Sequence, residues 1–147
     1  MIQCVGPAEK FCSRLCCTTA LKNALKLKEH NPEAQITILY RDIRTYGFKE
    51  RVYTEARRAG VRCIQFNFDR KPEVAQPEAG AALSVRTWEP ILGREIELKP
   101  DLLVIGSVAR TGLPGLTMGN TAEAILNEVE CSVATVKPAG FKSPIRL

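Results

Sequence analysis

Short runs of apolar, β-forming residues alternate with helical patterns along the chain, and this alternation is the feature that most constrains its fold. The runs are QITILYR at residues 35–41, VRCIQF at 61–66 and DLLVIG at 101–106. Continuous apolar runs of this length are typical of strands that are buried on both faces of a parallel sheet. Because strands and helices alternate, we predict an α/β protein with a central parallel sheet.

The other predicted elements complete the order β-α-β-α-β, hairpin, β-α-β. They are a first strand at residues 1–5, helices at 18–30, 46–59 and 120–130, a connection at 69–80, a hairpin at 83–87 and 94–98 with its turn at 89–93, and a last strand at 131–136. We expect a three-layer, Rossmann-like or flavodoxin-like sheet of order 3-2-1-4-5, in which residues 102–106 form the fourth strand. Helices would cover both faces, and the hairpin insertion would lie at one side. The 147 residues suffice for a single α/β domain.

The first nineteen residues hold four of the six cysteines, namely Cys4, Cys12, Cys16 and Cys17. They fall at the end of the first strand, in the following loop and in the first turns of the first helix. Ligands of open α/β sheets bind at the carboxyl ends of the strands, and the N–H groups of a helix N-terminus favour thiolates. These four thiols are therefore the candidate site.

The spacing of the thiols leaves three interpretations open: an iron–sulfur cluster, a zinc ion, or reduced thiols without a metal. Disulfides are disfavoured because nothing suggests secretion and because adjacent Cys16 and Cys17 cannot bridge each other without strain. Structural zinc usually takes C-x2–4-C pairs, whereas the chain has C-x7-C-x3-C-C. Iron–sulfur clusters tolerate varied spacing. Cys63 and Cys131 lie within predicted strands, and we expect them to be small buried side chains.

The segments MIQCVG, CSRLCCTTALKNALKLKE and ITILYRDIRTYGFKE resemble the A subunit of the heterodisulfide reductase family. The likeness runs from residue 1 to about 104 and includes PILGREIELKPDLLV. It implies a thioredoxin-reductase-like domain with a [4Fe–4S] cluster on Cys4, Cys12, Cys16 and Cys17. It also implies redox partner subunits and a flavin. Since the chain has no flavin-binding glycine motif, FAD is expected only from a partner domain, and the chain resembles part of an oxidoreductase without catalytic residues of its own.

A second resemblance covers residues 103–145, from VIGSVARTGLPGLTMGN to FKSPI, and points to the C-terminal part of universal stress proteins. That family's nucleotide loop follows G-x2-G-x9-G-(S/T), and here two of its four positions depart, at Ala109 and Asn120. The resemblance implies these candidate cofactor-binding residues: Gly106, Arg110, Thr111, Gly119, Asn120 and Thr121. Because the loop is incomplete, ATP is not the expected cofactor. The chain looks like a fusion or chimera, with one part at 1–104 and the other at 105–147.

Four further residues have local interpretations. Asp42 and Arg44 follow the second predicted strand, where dinucleotide-binding folds place a ribose-binding acidic residue. The first loop reads GPAEKFC instead of G-x-G-x-x-G, so surface pairing and a site role both remain open for this pair. The single histidine, His30, is expected to be a solvated cation at a helix end. Trp88 is expected to pack within the hairpin.

Charge and hydropathy exclude several classes of function. The net charge is +5, but the basic residues are scattered, so no nucleic acid is expected as a partner. No apolar run is long enough for a membrane span, and no signal peptide is visible, so we expect a cytoplasmic protein.

From the cysteines and the first resemblance together, we predict an iron–sulfur electron-transfer domain. The alternatives are a nucleotide-binding stress-protein-like module and a non-catalytic chimeric scaffold, and homodimer formation stays open.

Overall fold

A computed structural model describes residues 1–4, 12, 15–76, 81–105 and 132. Within them the chain is mixed α/β, with a parallel sheet and a separate antiparallel sheet. The elements are α1 (Cys16–His30), β1 (Thr37–Tyr40), a short 3-10 helix (Gly47–Lys49), α2 (Glu50–Arg58), β2 (Arg62–Gln65), β3 (Glu73–Ala75), β4 (Ser84–Glu89) and β5 (Arg94–Leu98). None of the helices in this described part is long and apolar enough to span a membrane.

The parallel sheet is built around the first residues of the chain. Strands β1 and β2 pair in parallel, and Ile2 forms parallel bridges with both Leu39 and Ile105. The Ile2 N–H donates to the Val104 carbonyl at 3.0 Å, and the Gln3 N–H donates to the Leu39 carbonyl at 2.8 Å. The first segment therefore lies between β1 and residues 104–105. These neighbours agree with the first four positions of the predicted sheet. Almost all of the fifth predicted strand lies outside the described residues, so the full order 3-2-1-4-5 stays a prediction.

Helices α1 and α2 cover one face of the parallel sheet. Their small and branched side chains meet those of the sheet in one buried cluster, formed by Ala20, Leu21, Ala24, Ile36, Ile38, Ala56 and Val61. Leu21 and Ala24 are three residues apart, so they lie on the same side of α1, and both are fully buried. This packing fixes the rotation of α1 about its axis and, with it, the direction in which its first turn faces.

The other face of the parallel sheet is covered by the antiparallel sheet β3-β4-β5. Ile2, Leu39, Ile64 and Phe66 pack there against Val74 of β3 and Val85 of β4. The predicted hairpin is present, with Val85 opposite Leu98 and Glu89 opposite Arg94. Our expectation that it lies at one side was wrong, because its buried side chains close the second face of the core. The predicted helix at 120–130 lies outside the described residues.

The element boundaries differ from the prediction at two helix starts. Helix α1 begins at Cys16, two residues before the predicted range 18–30, and Cys16 and Cys17 lie in its first turn, where the sequence placed them. Residue 46 is not helical, and the second helix begins with the 3-10 turn at Gly47. Gly60 follows α2 with a φ of 84°, the left-handed conformation that ends many helices and that glycine adopts without strain. His30 is exposed at the last position of α1, as expected.

Candidate metal centre

Three cysteines, Cys4, Cys16 and Cys17, lie at one edge of the parallel sheet, beyond the carboxyl ends of its strands. Cys4 follows the first segment directly, and residues 41–45 follow β1, which pairs with that segment. Cys16 and Cys17 open α1, whose first turn reaches the same edge because α1 packs across the face of the sheet. These elements therefore meet at the carboxyl ends of the strands, where ligands of open α/β sheets bind.

A single backbone oxygen links the first strand to the helix. The Cys17 thiol donates to the Asp42 carbonyl oxygen, with sulfur and oxygen 3.5 Å apart. The Cys4 thiol donates to the same oxygen across 3.9 Å. Cys17 is almost completely buried, at 2% exposure, whereas Cys4 is half-buried. Two cysteines that are thirteen positions apart in the sequence thus approach one atom.

The remaining two cysteines interact with this pair. A hydrogen bond with Cys16 is the largest of the effects that raise the pKa of the Cys17 thiol, followed by burial. The charges of Cys16 and Cys4 act in the same direction, whereas a hydrogen bond from the Arg44 backbone N–H lowers the pKa of Cys17. The Arg44 guanidinium has its pKa raised chiefly by Asp42, and Cys12 adds to that effect. Cys4 and Cys17 thus meet at one carbonyl oxygen, and Cys16 acts on Cys17.

The thiols at this edge do not form a coordination shell. Among the described residues, no three or more His, Cys, Asp or Glu side chains are arranged to hold a metal ion. Cysteine sulfur is a ligand that zinc and iron–sulfur centres share, so the residue types at this edge suit such a centre, but their observed arrangement is not one.

Asp42 and Arg44 form an ion pair beside the cysteines. The Arg44 Nε donates to the Asp42 Oδ2 at 2.6 Å, and both side chains are partly exposed. The sequence left surface pairing and a site role open for these residues. The structure shows the pairing, and it also places the Asp42 carbonyl within hydrogen-bonding distance of the Cys17 thiol.

Sequence reasoning missed the residue that anchors this loop. Thr45 is 1% exposed, and its Oγ1 donates to the Glu50 Oε2 at the start of α2 across 3.2 Å. The bond holds residues 41–45 against α2 and so fixes the Asp42 carbonyl at the site. In the sequence, this hydrogen bond is indicated only by a threonine that lies five residues before a glutamate.

Cys4 adopts a left-handed backbone conformation, with a φ of 59°. This conformation costs a residue with a Cβ about 1 kcal/mol more than it costs glycine. We therefore expect Cys4→Gly to be more stable than Cys4→Ala by about 1 kcal/mol. Urea unfolding of the two metal-free variants measures the difference. Both variants lack the thiol, so equal midpoints would contradict a strained backbone at this position.

The remaining predicted residues lie away from the thiols or outside the described part. Cys63 is half-buried on β2 and packs against the first core cluster, and burial raises the pKa of its thiol. The Arg70 guanidinium lies over the Trp88 ring, 4.7 Å from its centroid, so Trp88 packs against residue 70 as well as within the hairpin sheet. Cys131 and the predicted nucleotide residues lie outside the described residues: Gly106, Arg110, Thr111, Gly119, Asn120 and Thr121.

The chain is similar to the A subunits of heterodisulfide reductases. It is 37% identical over 121 residues to the A subunit of the ferredoxin:CoB-CoM heterodisulfide reductase of Methanosarcina acetivorans, a match that covers 78% of this chain and 14% of that protein. It is 34% identical over 109 residues to an iron-sulfur A subunit of the CoB–CoM heterodisulfide reductase of Methanopyrus kandleri, covering 71% of this chain and 16% of that protein. The chain thus spans only a small part of the length of these curated relatives.

The chain is also similar to the universal stress protein family, whose sequence model matches residues 69–137. This match begins well before residue 103, where the predicted likeness began, and it includes β3, β4 and β5. Because the reductase match covers 78% of the chain, the two matches overlap, and some residues are similar to both families. The predicted boundary between two parts near residue 104 stays a prediction.

Proposed function

We propose that the chain is an iron–sulfur electron-transfer domain that holds a [4Fe–4S] cluster on Cys4, Cys12, Cys16 and Cys17. The observation that carries this proposal is the meeting of the Cys4 and Cys17 sulfurs at the Asp42 carbonyl. Cys16 contacts Cys17, and Cys12 acts on the adjacent Arg44. Converging cysteine thiolates are the usual ligands of such clusters. The name of the Methanopyrus kandleri relative, an iron-sulfur subunit, supports the same proposal.

The cluster supplies one-electron transfer, and the chain's own residues hold it and set its potential. Loading the site requires a local rearrangement, because a thiolate has no proton to donate to a carbonyl. The bonds from Cys4 and Cys17 to the Asp42 oxygen must therefore be given up as the thiols lose their protons. The Arg44 N–H remains a suitable donor to sulfur in the loaded state.

The proposed domain works with redox partners. The similar proteins are named as subunits of heterodisulfide reductases, so we propose partner subunits that deliver and remove electrons, one of them with a flavin domain that supplies FAD. A reducing cytoplasm would keep the thiols available for the cluster. Homodimer formation is a further arrangement that a measurement of mass in solution would test.

The deciding experiment is anaerobic purification followed by assay of iron and acid-labile sulfide. The proposal predicts four of each per chain, since one [4Fe–4S] cluster holds four iron and four sulfide ions. It also predicts a brown protein whose broad visible absorbance bleaches when a one-electron reductant is added. A colourless chain that stays free of iron after reconstitution with ferrous iron and sulfide would refute it. Zinc in place of iron would instead support a structural thiolate site.

Nucleotide binding is the second candidate function, and the match of residues 69–137 to the universal stress protein family favours it. The residues concerned would be Gly106, Arg110, Thr111, Gly119, Asn120 and Thr121. Saturating Mg-ATP should then raise the melting temperature, because a ligand that binds only the folded state stabilises it. An unchanged melting temperature would exclude this candidate. A chain that binds neither iron nor nucleotide but melts cooperatively would be the non-catalytic scaffold.

A further inference from the structure

A cavity lies on the outer face of the antiparallel sheet. Side chains alternate along β4, so Arg86 and Trp88 point away from the buried core. Glu73 of β3 lies opposite Arg86, and Glu95 of β5 lies opposite Trp88, so these four side chains share the outer face. Together with residues 68–72 they line a cavity of about 640 Å³. This volume lies within the range of roughly 300–1,000 Å³ that small-molecule sites occupy.

Two cations lie over aromatic rings in this cavity. The Arg70 guanidinium is 4.7 Å from the centroid of the half-buried Trp88 ring. The Lys71 Nζ is 4.2 Å from the centroid of the Phe68 ring, which is 44% exposed. The Arg70 backbone N–H donates to the Asn67 carbonyl at 3.2 Å, and this turn holds the connection beside β4. Two positive groups are thus kept next to rings that remain partly accessible.

The charges around the cavity divide into paired and unpaired groups. Arg86 Nη2 donates to Glu73 Oε2 at 2.8 Å, so these two charges neutralise each other. The two cations over the rings have no carboxylate within ion-pair distance among the described residues, so their charges are available to an anionic ligand. Asp69 and Glu95 also line the cavity, and their negative charges disfavour a ligand that carries more than one negative charge.

We propose that this cavity binds a small planar aromatic monocarboxylate. The ring of the ligand stacks with the Trp88 indole, and its carboxylate accepts hydrogen bonds from Arg70 and Lys71. Arg70 suits both parts of such a ligand, because a guanidinium can stack on a ring and can also donate to a carboxylate in its own plane. The inference is independent of the iron–sulfur and nucleotide proposals, since none of these residues belongs to either candidate site.

The first test follows the indole N–H signal in proton–nitrogen correlation NMR spectra while 2-naphthoate is titrated into the chain. Trp88 is the single tryptophan, so the signal reports on this cavity alone. Binding should shift it in a saturable way. Two comparison compounds, 2-naphthylmethanol with the rings but no charge and cyclohexanecarboxylate with the charge but no aromatic ring, should each bind about tenfold more weakly or worse. The absence of a saturable shift with 2-naphthoate would overturn the inference, and so would equal affinities for all three compounds.

The second test compares variants of the arginine. Arg70→Gln should weaken the binding of 2-naphthoate about tenfold, and Arg70→Lys should fall between that variant and the unchanged chain, because lysine keeps the charge but not the planar group. Arg70 is exposed, so neither substitution should affect folding, which circular dichroism checks.

The matched control is Arg57→Gln on α2. The Arg57 guanidinium lies 5.7 Å from the centroid of the Tyr53 ring, but neither residue lines the cavity. This substitution therefore also removes one positive charge and one contact between a cation and a ring, and it should leave the affinity for 2-naphthoate unchanged. Equal losses of affinity in Arg70→Gln and Arg57→Gln would overturn the inference, because they would indicate a general effect of net charge.

Discussion

Cys16→Ser is expected to lose most of the iron of the reconstituted protein, about tenfold or more relative to the unchanged chain. Cys16 lies in the first turn of α1 and contacts Cys17, so its thiolate is one of four proposed ligands. A serine oxygen is a harder and more basic ligand than sulfur and replaces it poorly in an iron–sulfur centre. Iron and sulfide assays after anaerobic reconstitution, together with the visible absorbance, measure the loss.

Cys63→Ser provides the matched control for this substitution. Cys63 is also half-buried, but it lies on β2 and packs against the helix-covered core. The control variant should keep its full content of iron and sulfide. Equal retention of iron in Cys16→Ser and Cys63→Ser would contradict the assignment of Cys16 as a ligand. Loss in both variants would point to a general defect in folding, which circular dichroism of the metal-free proteins detects.

Leu21→Ala is expected to destabilise the metal-free chain by about 2–5 kcal/mol. Leu21 is fully buried between α1 and the parallel sheet, so its truncation removes apolar contacts and leaves a cavity. For a chain of this size, each kcal/mol corresponds to a decrease of about 2–4 °C in melting temperature. Chemical denaturation with urea, monitored by circular dichroism, gives the change in free energy of unfolding.

Leu27→Ala is the control on the same helix. Leu27 is 45% exposed, and alanine has a high helix propensity, so the expected loss is below about 1 kcal/mol. Equal losses for the two leucines would mean that the described face of α1 is not the buried one. Because α1 also presents Cys16 and Cys17, Leu21→Ala should in addition weaken the binding of metal at the sheet edge.

The sequence predicted the strands and helices that have a clear periodic signal. Residues 35–41 and 61–66 contain β1 and β2, and the apolar spacing of residues 18–30 predicted most of α1. The strand β3 was not predicted, because it has only three residues and lies between Pro72 and Pro77. Its pairing with β4 depends on contacts made after the chain has folded, and such contacts leave no local pattern.

The candidate site was predictable in its cysteines but not in the backbone groups around them. The clustering of thiols near a strand end and a helix start indicated a site from the residue types alone. The Asp42 carbonyl and the Arg44 N–H could not be predicted, because every residue except proline offers the same two backbone groups. Their position depends on the loop after β1 and on the Thr45–Glu50 hydrogen bond.

The position of Ile2 between Leu39 and Ile105 bears on how the chain can be divided. A fragment that ends at residue 100 would leave the Ile2 N–H without its acceptor on Val104 and would open the middle of the sheet to water. A fragment of residues 1–100 would then not be an autonomous folding unit. Differential scanning calorimetry should accordingly record a single endotherm for the intact polypeptide.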